Sequence, residues 1–147
     1  MRAIFRYWLW LLLVLVVLQI AFAGLGAFDV VEKAASEGAS VDEESIDDSW
    51  GLHIGFGYLV LLGSLIAFVL ALVARVGRQR VLHSLGIFGL MIVQILLAWF
   101  GSEVPIIGTL HPLNAFLILG AVAALAMREQ RGELVATASA PQPPPAV

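Results

Sequence analysis

The chain has 147 residues, of which 61% are hydrophobic and only 13% are charged, with a net charge of −3 and no cysteine. A soluble domain carries about 25% charged residues, so this composition excludes an ordinary water-soluble surface. The lack of cysteine excludes disulfides, thiolate metal sites and covalently attached c-type haem. No basic stripe interleaved with aromatic residues occurs, so we expect no nucleic-acid partner.

The first apolar block covers about residues 7–28 and contains no charge, and its only strongly polar side chain is Gln19. Ala21-Phe22-Ala23 resembles a signal-peptide cleavage site, which makes a cleaved signal peptide the alternative interpretation. The block is longer than the 7–15 apolar residues typical of a signal peptide. We therefore expect it to be retained as the first membrane span.

The segment 29–50 is polar and strongly acidic, with eight carboxylates and a single Lys33. This composition predicts an acidic loop on the outer side of a membrane. Ser45-Ile46-Asp47-Asp48 has the spacing of a helix N-cap followed by acidic residues in the first turn. The second helix is therefore predicted to begin near Ser45, ahead of the hydrocarbon.

Three further apolar blocks follow, each about long enough for a spanning helix. They cover about residues 51–74, 81–101 and 106–127. Gly86 and Gly89, in the third block, are expected to be helix-packing residues. Residues 1–131 thus form one bundle, and the Pro/Ala-rich segment 132–147 is predicted to be a disordered cytoplasmic tail.

Orientation is predicted from the basic residues, since seven arginines fall on one side of a four-span arrangement and Lys33 falls on the other. The arginines are Arg2, Arg6, Arg75, Arg78, Arg80, Arg128 and Arg131. The positive-inside rule then places both termini and the middle loop in the cytoplasm. The predicted fold is an all-α, up-down-up-down four-helix bundle that crosses the cell membrane.

Polar side chains inside a span indicate a functional site. His53 lies near the outer end of the second span and His111 near the outer end of the fourth, and these two helices are diagonal in such a bundle. Two imidazoles at one depth on diagonal helices can bind a haem iron from both faces. Gly57, one turn below His53, leaves room for a flat ring. Gln19, Gln94 and Asn114 are expected at about the same depth as the histidines.

A structural role for these residues is the competing interpretation. Counted from Arg75 and Arg128 at a rise of 1.5 Å per residue, the depths of His53 and His111 differ by roughly 7 Å. If that offset persists, His53 belongs to the membrane interface. The amides then serve only as interhelical hydrogen bonds, of roughly 1 kcal/mol each. His83, at the inner end of the third span, is expected to be interfacial.

The sequence resembles one four-helix half of haem A synthase, in Gly51-Leu52-His53-Ile54-Gly55 and His111-Pro112-Leu113-Asn114-Ala115. It also resembles an uncharacterised bacterial family of small four-span proteins. The first resemblance implies haem b binding, with His53 and His111 as axial metal ligands. The chain has half the length of those synthases, so a two-bundle enzyme would need a homodimer. Its first outer loop also lacks the cysteine pair found in many of them.

The leading functional hypothesis is a small b-type haem protein for electron transfer or haem handling, with the bilayer and a second copy or a membrane redox protein as partners. The alternative is a cofactor-free structural or accessory subunit that binds a partner protein. A transporter is a third hypothesis, disfavoured because no acidic residue lies inside a predicted span. No catalytic motif occurs, so enzymatic activity stays open.

The predicted topology is tested with reporter fusions at Glu43 and after the last residue. The arginine distribution predicts that the two reporters lie on opposite sides of the membrane. Activity of both reporters on the same side would contradict the four-span arrangement.

Overall fold

The computed structural model describes residues 1–36 and 42–138, which form helices and no strand. The helices are α1 (Arg2–Ala35), α2 (Glu43–Val73), α3 (Arg78–Glu103), α4 (Pro105–Gly108) and α5 (Leu110–Ala138). Four stretches are long and apolar enough to cross a membrane: α1, α2, α3 and Pro105–Gly132. The prediction of four helices of spanning length is therefore confirmed.

The second helix begins earlier than predicted. Its N-cap is Asp42, whose carboxylate accepts a hydrogen bond from the backbone N–H of Ser45 at 3.0 Å. Ser45 lies in the first turn and also donates its hydroxyl to Asp42, so the prediction of Ser45 as the N-cap was wrong, although the helix begins near the predicted start. These hydrogen bonds lower the pKa of the Asp42 carboxyl and keep it charged at the positive end of the helix dipole.

Most of the described acidic segment is helical and does not form a loop. Lys33 pairs with Asp29 at 2.9 Å within α1, and its ammonium donates to the Ser49 hydroxyl of α2 at 2.9 Å. The Ser49 hydroxyl also lies 2.6 Å from the Asp29 carboxylate. This network ties the end of α1 to the start of α2, so both helices continue beyond the predicted spans. Residues 37–41 lie outside the described structure.

The fourth predicted span is interrupted near its start. The short helix α4 is followed by Thr109, and α5 then runs from Leu110 to Ala138. Residues 132–138, predicted to begin a disordered tail, are therefore helical. Residues 139–147 lie outside the described structure.

The four long helices form a ring in which α1 contacts α2 and α5, and α3 contacts α2 and α5. Within the described residues, the diagonal pairs α1–α3 and α2–α5 make no backbone contact. The predicted inward face of α2 is confirmed by burial of Val60, Ser64, Ala67 and Ala71. The predicted face of α5 is likewise buried at Asn114, Ile118 and Val122.

Close helix packing occurs at glycines other than those predicted. A Cβ at Gly101 would lie 2.6 Å from the Cα of Gly108, where α3 meets α4. A Cβ at Gly86 or Gly89 would meet no atom within 4 Å, so their assignment as packing residues was wrong. Both of these glycines lie on faces of α3 that have no close neighbour.

Gly101→Ala and Gly86→Ala form a matched pair within α3. We expect Gly101→Ala to destabilise the fold by roughly 1–3 kcal/mol, because the added methyl group overlaps backbone that cannot rotate away. Gly86→Ala should leave stability unchanged or raise it by up to about 1 kcal/mol through helix propensity. Thermal unfolding in detergent measures both, and equal effects would contradict the contact between Gly101 and Gly108.

Candidate functional site

A cavity of about 630 Å³ lies among the four long helices. Its wall is mainly apolar, and two amides and two imidazoles supply most of its polar groups. The lining residues are Val16, Gln19, Ile20, His53, Ile54, Gly57, Tyr58, Val60, Met91, Gln94, Ile95, Ala98, Trp99, His111, Ala115 and Ile118. All the predicted site residues except Asn114 therefore line this one cavity.

His53 of α2 is held by Gln19 of α1. The imidazole Nδ1 lies 3.1 Å from the backbone carbonyl oxygen of Gln19, and the Gln19 amide Nε2 donates to the backbone carbonyl of His53 at 2.9 Å. The Gln19 amide Nε2 also lies 3.1 Å from the imidazole Nδ1 and 3.4 Å from Nε2. A carbonyl oxygen only accepts and an amide NH2 only donates, so the two contacts of Nδ1 favour opposite tautomers of His53.

His111 of α5 is held in the same way by Gln94 of α3. Its Nδ1 lies 3.0 Å from the Gln94 backbone carbonyl oxygen, so in this ring Nδ1 carries the hydrogen. The Gln94 amide Nε2 donates to His111 Nε2 at 3.1 Å. We call these two interactions, Gln19 with His53 and Gln94 with His111, the Gln–His clasps. Each clasp joins neighbouring helices across a wall of the cavity.

The two clasps differ in how the amide is oriented. Asn114, which is 6% exposed, donates its Nδ2 to Gln94 Oε1 at 2.7 Å and to the Leu90 carbonyl at 3.0 Å. This anchor fixes the Gln94 amide. By contrast, Gln19 Oε1 is buried and, among the described residues, has no hydrogen-bond partner. Asn114 thus acts behind Gln94, which explains why it does not line the cavity itself.

The two imidazoles face each other across the α2–α5 diagonal. Their ring centroids are 6.2 Å apart and the ring planes are inclined by 67°. This separation is smaller than the expected depth offset of roughly 7 Å, so an offset of that size is contradicted. The estimate took Arg128 as the inner end of the fourth helix. That reference was wrong, because α5 continues past Arg128 to Ala138 and the neighbouring Glu129 pairs with Arg80 of α3. Arg128 does not mark the level of Arg75.

Two features beside His53 shape its surroundings. A Cβ at Gly57 would lie 3.0 Å from Gln19 Nε2, so the glycine leaves room for the clasp. The indole of Trp50 stacks edge-on against the His53 ring at 5.5 Å, a contact that sequence reasoning missed. The available signal was its spacing, since Trp50 lies one helical turn before His53.

The imidazole nitrogens of His53 and His111 could supply two ligands to a metal, but they do not make a complete metal site. Among the described residues, no group of three or more His, Cys, Asp or Glu side chains converges. His53 and His111 come together, whereas His83, near the start of α3, does not line the cavity. A metal held here would take two imidazole nitrogens and its remaining ligands from a cofactor.

A protein-family model described as a family of unknown function (DUF6220) matches residues 19–102. The match includes Gln19, His53 and Gln94 and ends before His111. No curated protein and no solved structure matches the chain. The comparisons thus support an uncharacterised family and give no support to the resemblance to haem A synthase.

Gly57→Leu and Gly55→Leu test the packing around the first clasp. We expect Gly57→Leu to displace the Gln19 amide and to destabilise the fold by about 1–3 kcal/mol, since buried polar groups lose partners. Gly55→Leu adds the same side chain two residues away, where a Cβ meets nothing within 4 Å. Thermal unfolding in detergent should separate the two variants. Equal stability would contradict the close approach of Gly57 to Gln19.

Proposed function

The chain belongs to the DUF6220 family, described only as a family of unknown function, and we propose that it is a small membrane protein that holds a b-type haem between His53 and His111. In this proposal it serves electron transfer or haem handling. It crosses the cell membrane four times as an up-down-up-down bundle with both termini in the cytoplasm. Its partners are a second copy or a membrane redox protein.

The surface and the distribution of charge support the membrane part of the proposal. Large apolar side chains point outward along the helices, as at Leu59, Leu62 and Leu117, which are 48–62% exposed. Such a surface suits lipid and is unusual in water. Arg2 donates to the Arg75 carbonyl, so the start of α1 and the end of α2 lie together. Gathered arginines favour a cytoplasmic position for that end.

The placement of the imidazoles is the observation that carries the haem proposal. A metal–imidazole nitrogen bond is about 2 Å long, so two such bonds in line separate the ring centroids by roughly 6 Å. The observed separation is 6.2 Å. Nδ1 of each ring points at a backbone carbonyl, which is the usual outer partner of a metal-bound histidine. In this proposal both rings carry their hydrogen on Nδ1, which leaves Nε2 of each ring to bind iron.

The cavity suits the size and polarity of a haem. Its volume of about 630 Å³ and its mainly apolar wall favour a large flat hydrophobic group. Gly57 and Ala115 are small residues in the wall close to the two imidazoles. A bound haem supplies one-electron redox chemistry, and the chain's own residues exclude water and orient the imidazoles.

A cofactor-free structural module is the second candidate, and one observation favours it. The Gln94 amide already donates to His111 Nε2, which satisfies the lone pair that iron would need. In that case the clasps act as interhelical fasteners only. The haem proposal requires the Gln94 amide to release Nε2, and the resemblance to one bundle of haem A synthase belongs with that proposal.

The test is the visible spectrum of the full chain purified from haem-supplied cells, before and after reduction with dithionite. Two axial nitrogen ligands make iron low-spin, so the reduced protein should show sharp α and β bands. His53→Ala or His111→Ala removes one axial bond and should yield high-spin iron or an empty site. His83→Ala is the matched control and should leave the spectrum unchanged.

Circular dichroism of each variant checks that the helices remain intact. A colourless wild-type protein would favour the cofactor-free module. Loss of haem from His83→Ala with retention in His53→Ala would contradict the proposed ligand pair.

A further inference from the structure

A second cavity, of about 280 Å³, lies at the opposite end of the bundle from the histidines. It is lined by Arg2, Ala3, Arg6, Val76, Arg80, Glu129 and Gly132. Three guanidinium groups and one carboxylate give these lining residues a formal charge of +2. We call this cavity the arginine pocket. Its chemistry differs from the apolar, imidazole-bearing cavity described above.

Arg80 is held in position by the protein. Its Nε pairs with Glu129, whose side chain is only 10% exposed, and its Nη1 donates to the Val76 carbonyl at 3.0 Å. Its Nη2 lies 3.7 Å from the place that a Cβ at Gly132 would occupy. Because Gly132 has no side chain, that edge of the guanidinium stays uncovered. A fixed, planar donor of this kind suits the oxygens of a phosphate group.

Arg2 adds a second cation that the fold holds only weakly. Its Nη2 reaches the Arg75 carbonyl at 3.4 Å, in an exposed contact. A contact of that length stabilises one side-chain position little, so Arg2 can turn toward an anion without losing a strong hydrogen bond. Glu129 is already paired with Arg80, so it repels an incoming anion less than a free carboxylate would.

We propose that the arginine pocket binds the phosphate of an anionic phospholipid. The pocket lies at the arginine-rich end of the helices, which the proposed topology places at the cytoplasmic headgroups. Basic pockets between membrane helices on that side are suited to anionic headgroups. The inference needs the membrane topology and is independent of haem.

The experiment measures lipid retained by the full chain in a neutral detergent, by native mass spectrometry. Phosphatidylglycerol is the anionic probe, phosphatidylcholine the zwitterionic one and inorganic phosphate the competitor. Arg2→Gln should weaken retention of phosphatidylglycerol about fivefold, as expected for one cation near a membrane surface. Gly132→Leu, which favours helix formation and covers the Arg80 edge, should abolish it. Arg128→Gln changes an exposed arginine outside the pocket and should behave as wild type.

Preference for phosphatidylglycerol with this order of variants would support the proposal. Displacement of the lipid by millimolar inorganic phosphate, with the same dependence on Arg2 and Gly132, would show a site for free phosphate and overturn the lipid assignment. Equal retention of the two lipids, or an equal loss in Arg2→Gln and Arg128→Gln, would overturn the pocket itself. Thermal unfolding of each variant separates loss of binding from loss of fold.

Discussion

The close approach of each imidazole Nδ1 to a backbone carbonyl of the neighbouring helix, 3.1 Å for His53 and 3.0 Å for His111, is the interaction on which the arrangement of the cavity depends. Inside an apolar bundle, an imidazole N–H without an acceptor is destabilising by several kcal/mol, on the order of a lost hydrogen bond in a low dielectric. Helix carbonyls have a second lone pair beyond the one used within the helix. The Gln94 carbonyl uses it to accept from His111, and the Gln19 carbonyl lies within hydrogen-bond distance of His53 Nδ1 in the same way.

These contacts orient both rings at the wall of the cavity. In His111 the lone pair lies on Nε2, where the Gln94 amide donates to it. The clasps join α1 to α2 and α3 to α5, whereas the described backbones of the diagonal helices do not touch. Space therefore remains in the centre, between two rings whose centroids are 6.2 Å apart. One glutamine and one histidine join each helical pair, although the amide contacts differ between the two clasps.

The two halves are not equally rigid. Asn114 fixes the amide of Gln94, while among the described residues the buried carbonyl oxygen of the Gln19 side chain has no partner. The His111 side of the cavity is therefore held more firmly than the His53 side, and the amide that Asn114 fixes is the one that occupies His111 Nε2. The arginine pocket at the other end likewise combines one fixed side chain, Arg80, with one loosely held side chain, Arg2.

Hydrophobic blocks and the spacing of small residues were enough to predict the four long helices and the buried faces of α2 and α5. The same patterns predicted that one region of the bundle contains His53, His111, Gln19 and Gln94. The exact level of the histidines could not be predicted, because that needs the true end of α5, which runs ten residues beyond Arg128.

The sequence also could not predict which glycines lie at close helix contacts or which backbone carbonyls contact the histidines. Helix periodicity does not distinguish Gly101, which meets Gly108, from Gly86, which faces open space. Every residue has a backbone carbonyl, so residue types do not show which carbonyls contact the histidines. The Asp42 cap was missed because Asp42 and Ser45 both have side chains that cap helices well. Only the observed start of the helix at Glu43 distinguishes them.

The proposed haem site requires that His53 and His111 both carry their hydrogen on Nδ1, so that Nε2 of each ring can bind a metal. Nitrogen-15 NMR of the haem-free protein, labelled only at histidine, measures this directly, since the chain has three histidines and single substitutions assign each signal. The account predicts that His53 and His111 are neutral Nδ1–H tautomers, each with an unprotonated Nε2. A signal from Nε2–H in either ring would contradict it, because that ring could not bind a metal toward the cavity.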